Sequence, residues 1–360
     1  MKSFFPSIEV MHGEASVEPI TVRSLGDAER PRWDAFVRAT PSATFFHLSA
    51  WQRLIEEFQG HRTHFLYAER AGEIVGVLPL AEVRSRLFGH SLSSLPFCAY
   101  GGVVARDEIA GQALEAEAER IALQRGVEHL EYRNLAVRHD DWPRQDLYVT
   151  FRREISADDE ENLNAIPRKQ RAMVRKGLKN GLFANHDPDT RRFFSVYADN
   201  VRRHGTPAMS ARWFAGLQDS FGDDCEVLTV TDAQGQTLTS VLSFFFRDEI
   251  LPYYAGDFPA ARDLAANDFK YWSLMQRAVE RGCRTFDYGR SKIGTGPWSF
   301  KKNWGFEPQP LSYEYRLFKR DAIPQNNPLN PKYRAFIALW RRLPLPVANR
   351  LGPLIVRNLG

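Results

Sequence analysis

Cysteine is scarce in this chain. Its three copies, Cys98, Cys225 and Cys283, form neither a CxxC zinc pattern nor a disulfide framework. They read as small buried apolar residues, and a reducing cytosol is the expected compartment. No run approaches the roughly 18 apolar residues that would span a bilayer. The stretch after Lys2 is interrupted by Pro6, Glu9, His12 and Glu14, so no secretion signal is read there. Charge of one sign is also lacking: 48 basic residues against 44 acidic ones leave +4, too small an excess for a nucleic-acid coat, and DNA is not an expected partner. His64, His129 and His204 have no partner at a recognisable spacing, and no metal is expected.

What is present is a repeated programme. At 360 residues, 43% of them hydrophobic, the chain is long and apolar enough for two cores. RGVEHLEYR (125–133) and RGCRTFDYG (281–289) align without gaps at an offset of 156, each after an amphipathic helix. Upstream, the hairpin in ERAGEIVGVLPL is echoed by TDAQGQTLTSVLSF. Two helices, a meander of strands, one helix and a further strand therefore occur twice. The expected fold is two copies of one α/β (α+β) domain, each with a mixed, mostly antiparallel sheet flanked by helices. The boundaries read from composition are a loose arm over 1–19, domain one over 20–154, domain two over 155–318 and a tail over 319–360.

Three stretches invite a chemical reading. In the first, FDYGRS (286–291) is a strand end, and Gly294, Gly296 and Pro297 bend the chain back into WSFKKNWGF. That return is expected to be a strand placing Lys301 toward an apolar wall and Lys302 on the opposite side. The alternative is a core of Trp298, Phe300, Trp304 and Phe306 with both lysines solvated. In the second stretch, Arg168, Arg171, Arg175 and Lys179 recur along one helix face, which is either a solvated face or a clamp for phosphates. The third is the tail, where Phe336, Ile337 and Trp340 mix with Arg334, Arg341 and Arg342. It is read either as a helix packed on domain two or as a membrane-surface or partner-docking helix.

The doubled unit, the IPRKQRAMVRKGLKNG helix and FDYGRSKIGTGPWSFKKNWGF together resemble the FemAB-like proteins, which are tandem GNAT-fold N-acyltransferases. The likeness runs from about Thr21 to Phe318. It is nearest to the subgroup found with exosortase (PEP-CTERM) and exopolysaccharide systems, described as having a BioF2-like acetyltransferase domain. The resemblance implies acyl or aminoacyl transfer to an amine of a cell-envelope or exopolysaccharide precursor at the cytoplasmic face. Phe300-Lys301 is similar to the Phe-Lys pair of the FemABX peptidyltransferases, where the lysine lies at the transfer site. No tightly bound cofactor is implied; the co-substrate is an activated acyl donor, acyl-CoA or aminoacyl-tRNA. Two features depart from the pattern: the helix opening ARDLAANDFK lacks the glycines of a pyrophosphate cradle, and no heptad arm for transfer RNA is present.

For such chemistry Lys301 is the candidate oxyanion donor, with Asp287 as proton acceptor and Tyr254 on a neighbouring strand end as an orienting phenol. Tyr288, Arg290, Lys292 and Phe300, with Arg168, Arg171 and Arg175, are the candidate substrate-binding residues. The acceptor is expected to be a small-molecule or lipid-linked sugar. An acetyl-CoA-dependent amino-sugar acetyltransferase and a catalytically silent GNAT pair serving as an interaction module stand as alternatives.

Overall fold

The computed structural model describes residues 18–85, 89–324 and 334–358. The arm read over 1–19 lies almost wholly outside the described residues.

In the first half, β1 (Thr21–Ser24), β2 (Arg62–Arg70), β3 (Glu73–Ser85) and β4 (Gly89–Ser93) form an antiparallel meander, with the short β5 (Val104–Ala105) also on β3. Helices α1 (Arg30–Ala39) and α2 (Ala50–Leu54) cover one face; α3 (Glu108–Arg125) covers the other and returns the chain so that β6 (His129–Asn134) lies parallel to β4. After β7 (Arg144–Gln145), β8 (Tyr148–Thr150) and β9 (Arg152–Glu154) come α4 (Asp159–Ala165) and α5 (Arg168–Lys179). The programme then repeats. β10 (Phe183–Asp187), helices α6 (Arg191–His204) and α7 (Ala211–Phe221), and the meander β11 (Cys225–Thr231), β12 (Thr237–Phe246) and β13 (Glu249–Asp257) lead through α8 (Ala266–Glu280) to β14 (Thr285–Asp287), parallel to β13.

The 156-residue echo is a structural equivalence. His129 pairs with Ser91 across the first parallel junction and Thr285 with Glu249 across the second. Gly126 and Gly282, the glycines that end α3 and α8, both take left-handed φ, +65 and +73.

The sheets, however, exchange their closing strands. β17 (Ser312–Leu317), from the far end of the chain, pairs antiparallel with β6 in the first sheet; β9, from the linker, pairs antiparallel with β14 in the second. Between them, β8 is flanked by β15 (Ser291–Lys292) and β16 (Gln309–Pro310) in a small third sheet. A division at 154/155 therefore follows the chain but not the sheets. Backbone pairing is local in space and can recruit an edge from any sequence distance, which composition does not reveal.

The apolar core also crosses the halves. Phe45 stacks on Phe244 with ring centroids 4.4 Å apart, Trp51 lies 6.2 Å from Trp213, and Phe46 lies 5.0 Å from Tyr253. Helices α9 (Gly296–Asn303), α10 (Arg334–Arg342) and α11 (Leu345–Val356) complete the described structure. The last two dock on and beside α6: Ile337 packs at Gly205, and Gly352 lies so close to the Ala208 backbone that a Cβ there would come within 2.7 Å of it. Among the described residues no helix is long and apolar enough to cross a membrane.

Because Phe45 is buried between elements of both halves, Phe45→Ala should cost roughly 3–5 kcal/mol of unfolding free energy. Both halves should still melt together, with tryptophan fluorescence and far-UV circular dichroism giving coincident denaturation curves; two separated transitions would contradict a shared core.

Candidate active site

The return through WSFKKN is helical, as α9, and not a strand. Pro297 sits in the first turn of α9 and Gly305, at φ +81, follows its end, the usual punctuation of a short helix. The aromatic positions 298 and 300 mimic strand alternation, but Phe300, Lys301 and Trp304 share a face at spacings of three and four, and Phe300 packs on both Tyr271 and Trp304. Lys302 is exposed because it lies about 100° around the helix, with its Nζ over the Trp298 ring, and not because strand residues alternate.

Lys301 is 8% exposed. Its Nζ donates to the carbonyls of Tyr288 at 2.7 Å and Gly289 at 2.9 Å, with a longer 3.4 Å contact to that of Arg290. Burial pushes its ammonium down to about 7, against the pull of the Asp287 carboxylate and with a further push from Arg290.

Asp287 shapes that turn from beneath. Fully buried, it accepts from the Gly289 N–H at 2.7 Å, the Tyr100 hydroxyl at 2.9 Å and the Thr150 hydroxyl at 3.1 Å, with Arg152 Nε at 3.4 Å. Burial raises its pKa while Arg152 and these donors oppose the rise. With both oxygens engaged, Asp287 is a positioning residue and does not face the cleft, contrary to the role expected of it. Tyr254 also lies elsewhere. Its ring packs 5.1 Å from Phe214 and its hydroxyl accepts from Trp213 Nε1 at 3.3 Å, so it belongs to the core under α6 and α7. Tyr288 turns its ring into the second core and offers the site only its carbonyl.

The cleft itself, about 660 Å³, opens between α6, the end of β13, the first turns of α8, and α9. Arg290, Lys292, Phe300 and Lys301 line it. Arg168, Arg171 and Arg175 do not. Gly177 packs α5 against Phe269 and turns its basic face outward, where Arg168 and Arg175 are exposed and Arg171 bonds Asn164 at 2.6 Å.

Sequence reasoning missed a second buried amine. Lys270, 2% exposed, donates to Thr239 Oγ1 at 2.8 Å and Asn267 Oδ1 at 3.1 Å. Burial lowers it to about 8, with Asp257 and Asp268 pulling the other way. Asp257 in turn accepts from Asn200 and Asn267, each at 2.8 Å, and from Arg203 at 3.0 Å. The available signal was a helix whose first two turns bury polar residues, Asp268 and Lys270, beside Phe269.

Residues 161–302 match the acetyltransferase (GNAT) domain. The match covers 142 of the 360 residues, all within the span read as domain two. Over more than four-fifths of its length the chain shares a tandem GNAT fold with solved structures. FemX is 17% identical over 83% of this chain and 98% of its own, with a TM-score of 0.63. The C-terminal domain of a putative lysylphosphatidylglycerol synthetase from Agrobacterium fabrum is 14% identical over 82% and 92%, TM-score 0.53. A tandem GNAT protein from the clavulanic acid biosynthesis pathway is 14% identical over 85% and 100%, TM-score 0.51. No curated protein matches the sequence.

GNAT domains take acyl-CoA as co-substrate, and its diphosphate calls for a cradle of backbone N–H groups at a helix opening such as that of α8. The bend exists without glycine, since Ala265 holds φ +56. The first turn nevertheless carries the Asp268 carboxylate, bonded by Gln170 at 2.9 Å and Trp304 Nε1 at 3.0 Å, and negative charge there opposes an anion. This opening fits a diphosphate poorly.

The buried lysines carry a pH signature. From about 7 to 10.5 the unfolded chain holds a proton at residue 301 that the folded chain has lost, so unfolding free energy should rise with pH through this window, by up to about 1.4 kcal/mol per unit for one group. Lys301→Met should flatten the rise between about pH 7 and 8.5 in denaturant titrations; an unchanged slope would place the lysine's titration outside that range.

Proposed function

We propose that the chain is an N-acyltransferase that moves an acyl or aminoacyl group from an activated ester or thioester to an amine in the Lys301 cleft. The observation carrying this reading is the buried Lys301 Nζ, held by the Tyr288 and Gly289 carbonyls at the end of the parallel strand junction and lining the cleft, within the segment that matches the GNAT domain. The neutral acceptor amine attacks the donor carbonyl, the N–C bond forms as the C–O or C–S bond breaks, and the amine's proton leaves with the departing group or a base. Lys301, whose third contact is long at 3.4 Å, has an N–H able to turn to the developing oxyanion. Lys270, lowered to about 8 beside Asp257, is suited to take the proton. Phe300 forms an apolar wall.

The acceptor reading is a cell-envelope or exopolysaccharide precursor at the cytoplasmic membrane face, in keeping with the resemblance to the exosortase-associated subgroup. The fold shared with a putative lysylphosphatidylglycerol synthetase, named for attaching lysine to a lipid, makes aminoacyl transfer to a lipid-linked acceptor the form favoured here. Local support comes from α10 and α11. Residues 334–358 contain five arginines and no acid. They also carry five of the eleven exposed large apolar side chains among the described residues, including Leu339 at 64% and Leu354 at 59%. On α11, Ala348, Gly352 and Val356 face the protein while Val347, Leu351 and Leu354 face out. Such a surface suits anionic lipid. It adjoins the cleft, because His204 and Thr206 line the cleft and Arg341 donates to the His204 carbonyl at 3.4 Å. A silent interaction module would account for this patch but not for two buried lysines lining one cleft.

Acetyl-CoA and aminoacyl-tRNA, each offered with lipid-linked amino-sugar acceptors, test the donor. With the active pair, Lys301→Met should lower kcat and kcat/KM together by ~10²–10³; equal activity of variant and parent would refute the role. For the membrane face, the chain should sediment with phosphatidylglycerol-containing vesicles and not with phosphatidylcholine alone, and Leu339→Glu with Leu354→Glu should abolish this. Failure to sediment with either would remove the membrane from the reading.

A further inference from the structure

The sheet face opposite α3 is covered unevenly. Leu92, Leu130 and Tyr132 pack under α3, so their alternating neighbours Ser93, His129, Glu131 and Arg133 point the other way. There α1 and α2 cover the start of the sheet, but over β4, β6 and β17 they leave a polar cavity of about 170 Å³, closed partly by Tyr148 and Arg290 from beyond the first half. At about 30 Å³ per water, this is room for a handful of waters or one small molecule.

Its polar groups are imperfectly met. Arg133 is matched by Glu131 at 2.8 Å, a pair that is neutral as a unit. Ser93 Oγ and His129 Nδ1 are buried without a hydrogen-bond partner, on residues only 2% and 5% exposed. Arg290 lies over the Tyr148 ring at 4.7 Å and donates to the Tyr313 hydroxyl at 3.1 Å; among the described residues it has no carboxylate partner. A half-buried guanidinium with five donors and no counter-charge costs free energy that an anion would restore. Two orphaned side chains and an unneutralised arginine thus line one cavity.

We infer that this cavity is a binding site for a single small oxyanion, a carboxylate or a phosphate group, held by Arg290 with Ser93 and His129. The site is separate from the Lys301 cleft but shares a wall with it, since Arg290 lines both. The binding itself does not depend on the acyl-transfer reading.

Calorimetric titration of the full chain with inorganic phosphate and, separately, with acetate tests the site and tells the two anion classes apart. One-to-one saturable binding of at least one of them is expected, weakened tenfold or more by Ser93→Val and by His129→Leu and retained in Lys301→Met and in Arg168→Gln with Arg175→Gln. Thermal melts identify any variant that fails to fold, and Ser93→Ala then serves as the milder replacement. The inference is overturned if neither anion binds saturably, if binding survives the Ser93 and His129 variants, or if it falls with the α5 or Lys301 variants instead.

Discussion

The buried carboxylate of Asp287 holds the rest of the site in place. Its four partners come from three separate regions: Tyr100 in the first half, Thr150 and Arg152 in the linker, and the Gly289 N–H in the turn it shapes. By fixing Gly289 at φ +65 it aims the carbonyls of residues 288–290 at one point, which Lys301 Nζ occupies. Loss of this carboxylate would leave Arg152 short of a partner and the turn without its anchor, the costly case for a buried charge network.

Strand exchange gives that network its setting. With β17 in the first sheet and β9 in the second, neither half closes without chain from the other, and the small third sheet lies at the crossing. Arg290 sits there, between the polar cavity and the cleft, with Tyr148 on the cavity side. The aromatic core around Phe45, Phe244, Trp51 and Trp213 fixes the relative position of the halves, so two surfaces that belong to different repeats can act as walls of one another's spaces.

Two lysines define the cleft's chemistry through burial. Both are pushed toward neutrality by desolvation, and each retains acceptors suited to the charged form: carbonyls for Lys301, a hydroxyl and an amide for Lys270. A group poised between these forces can donate to developing negative charge or accept a proton near neutral pH.

By itself the sequence determined the doubled α/β architecture, because helix periodicity, hairpin turns and the RGVEHLEYR and RGCRTFDYG echo are local signals that survive without knowledge of the fold. It also singled out Lys301, Arg290, Lys292 and Phe300, since a glycine-rich turn after a strand marks where a chain leaves a sheet. Only the tertiary structure decided the rest. It moved Tyr254 into the core, turned Arg168, Arg171 and Arg175 to solvent, made the Lys301 segment a helix and revealed Lys270. Each of these depends on which face of an element meets another, and on which distant strand completes a sheet. Spacing along the chain carries no such information, because burial and pairing are set by contacts between residues distant in sequence, 41 positions apart for Trp213 and Tyr254 and 187 for Tyr100 and Asp287.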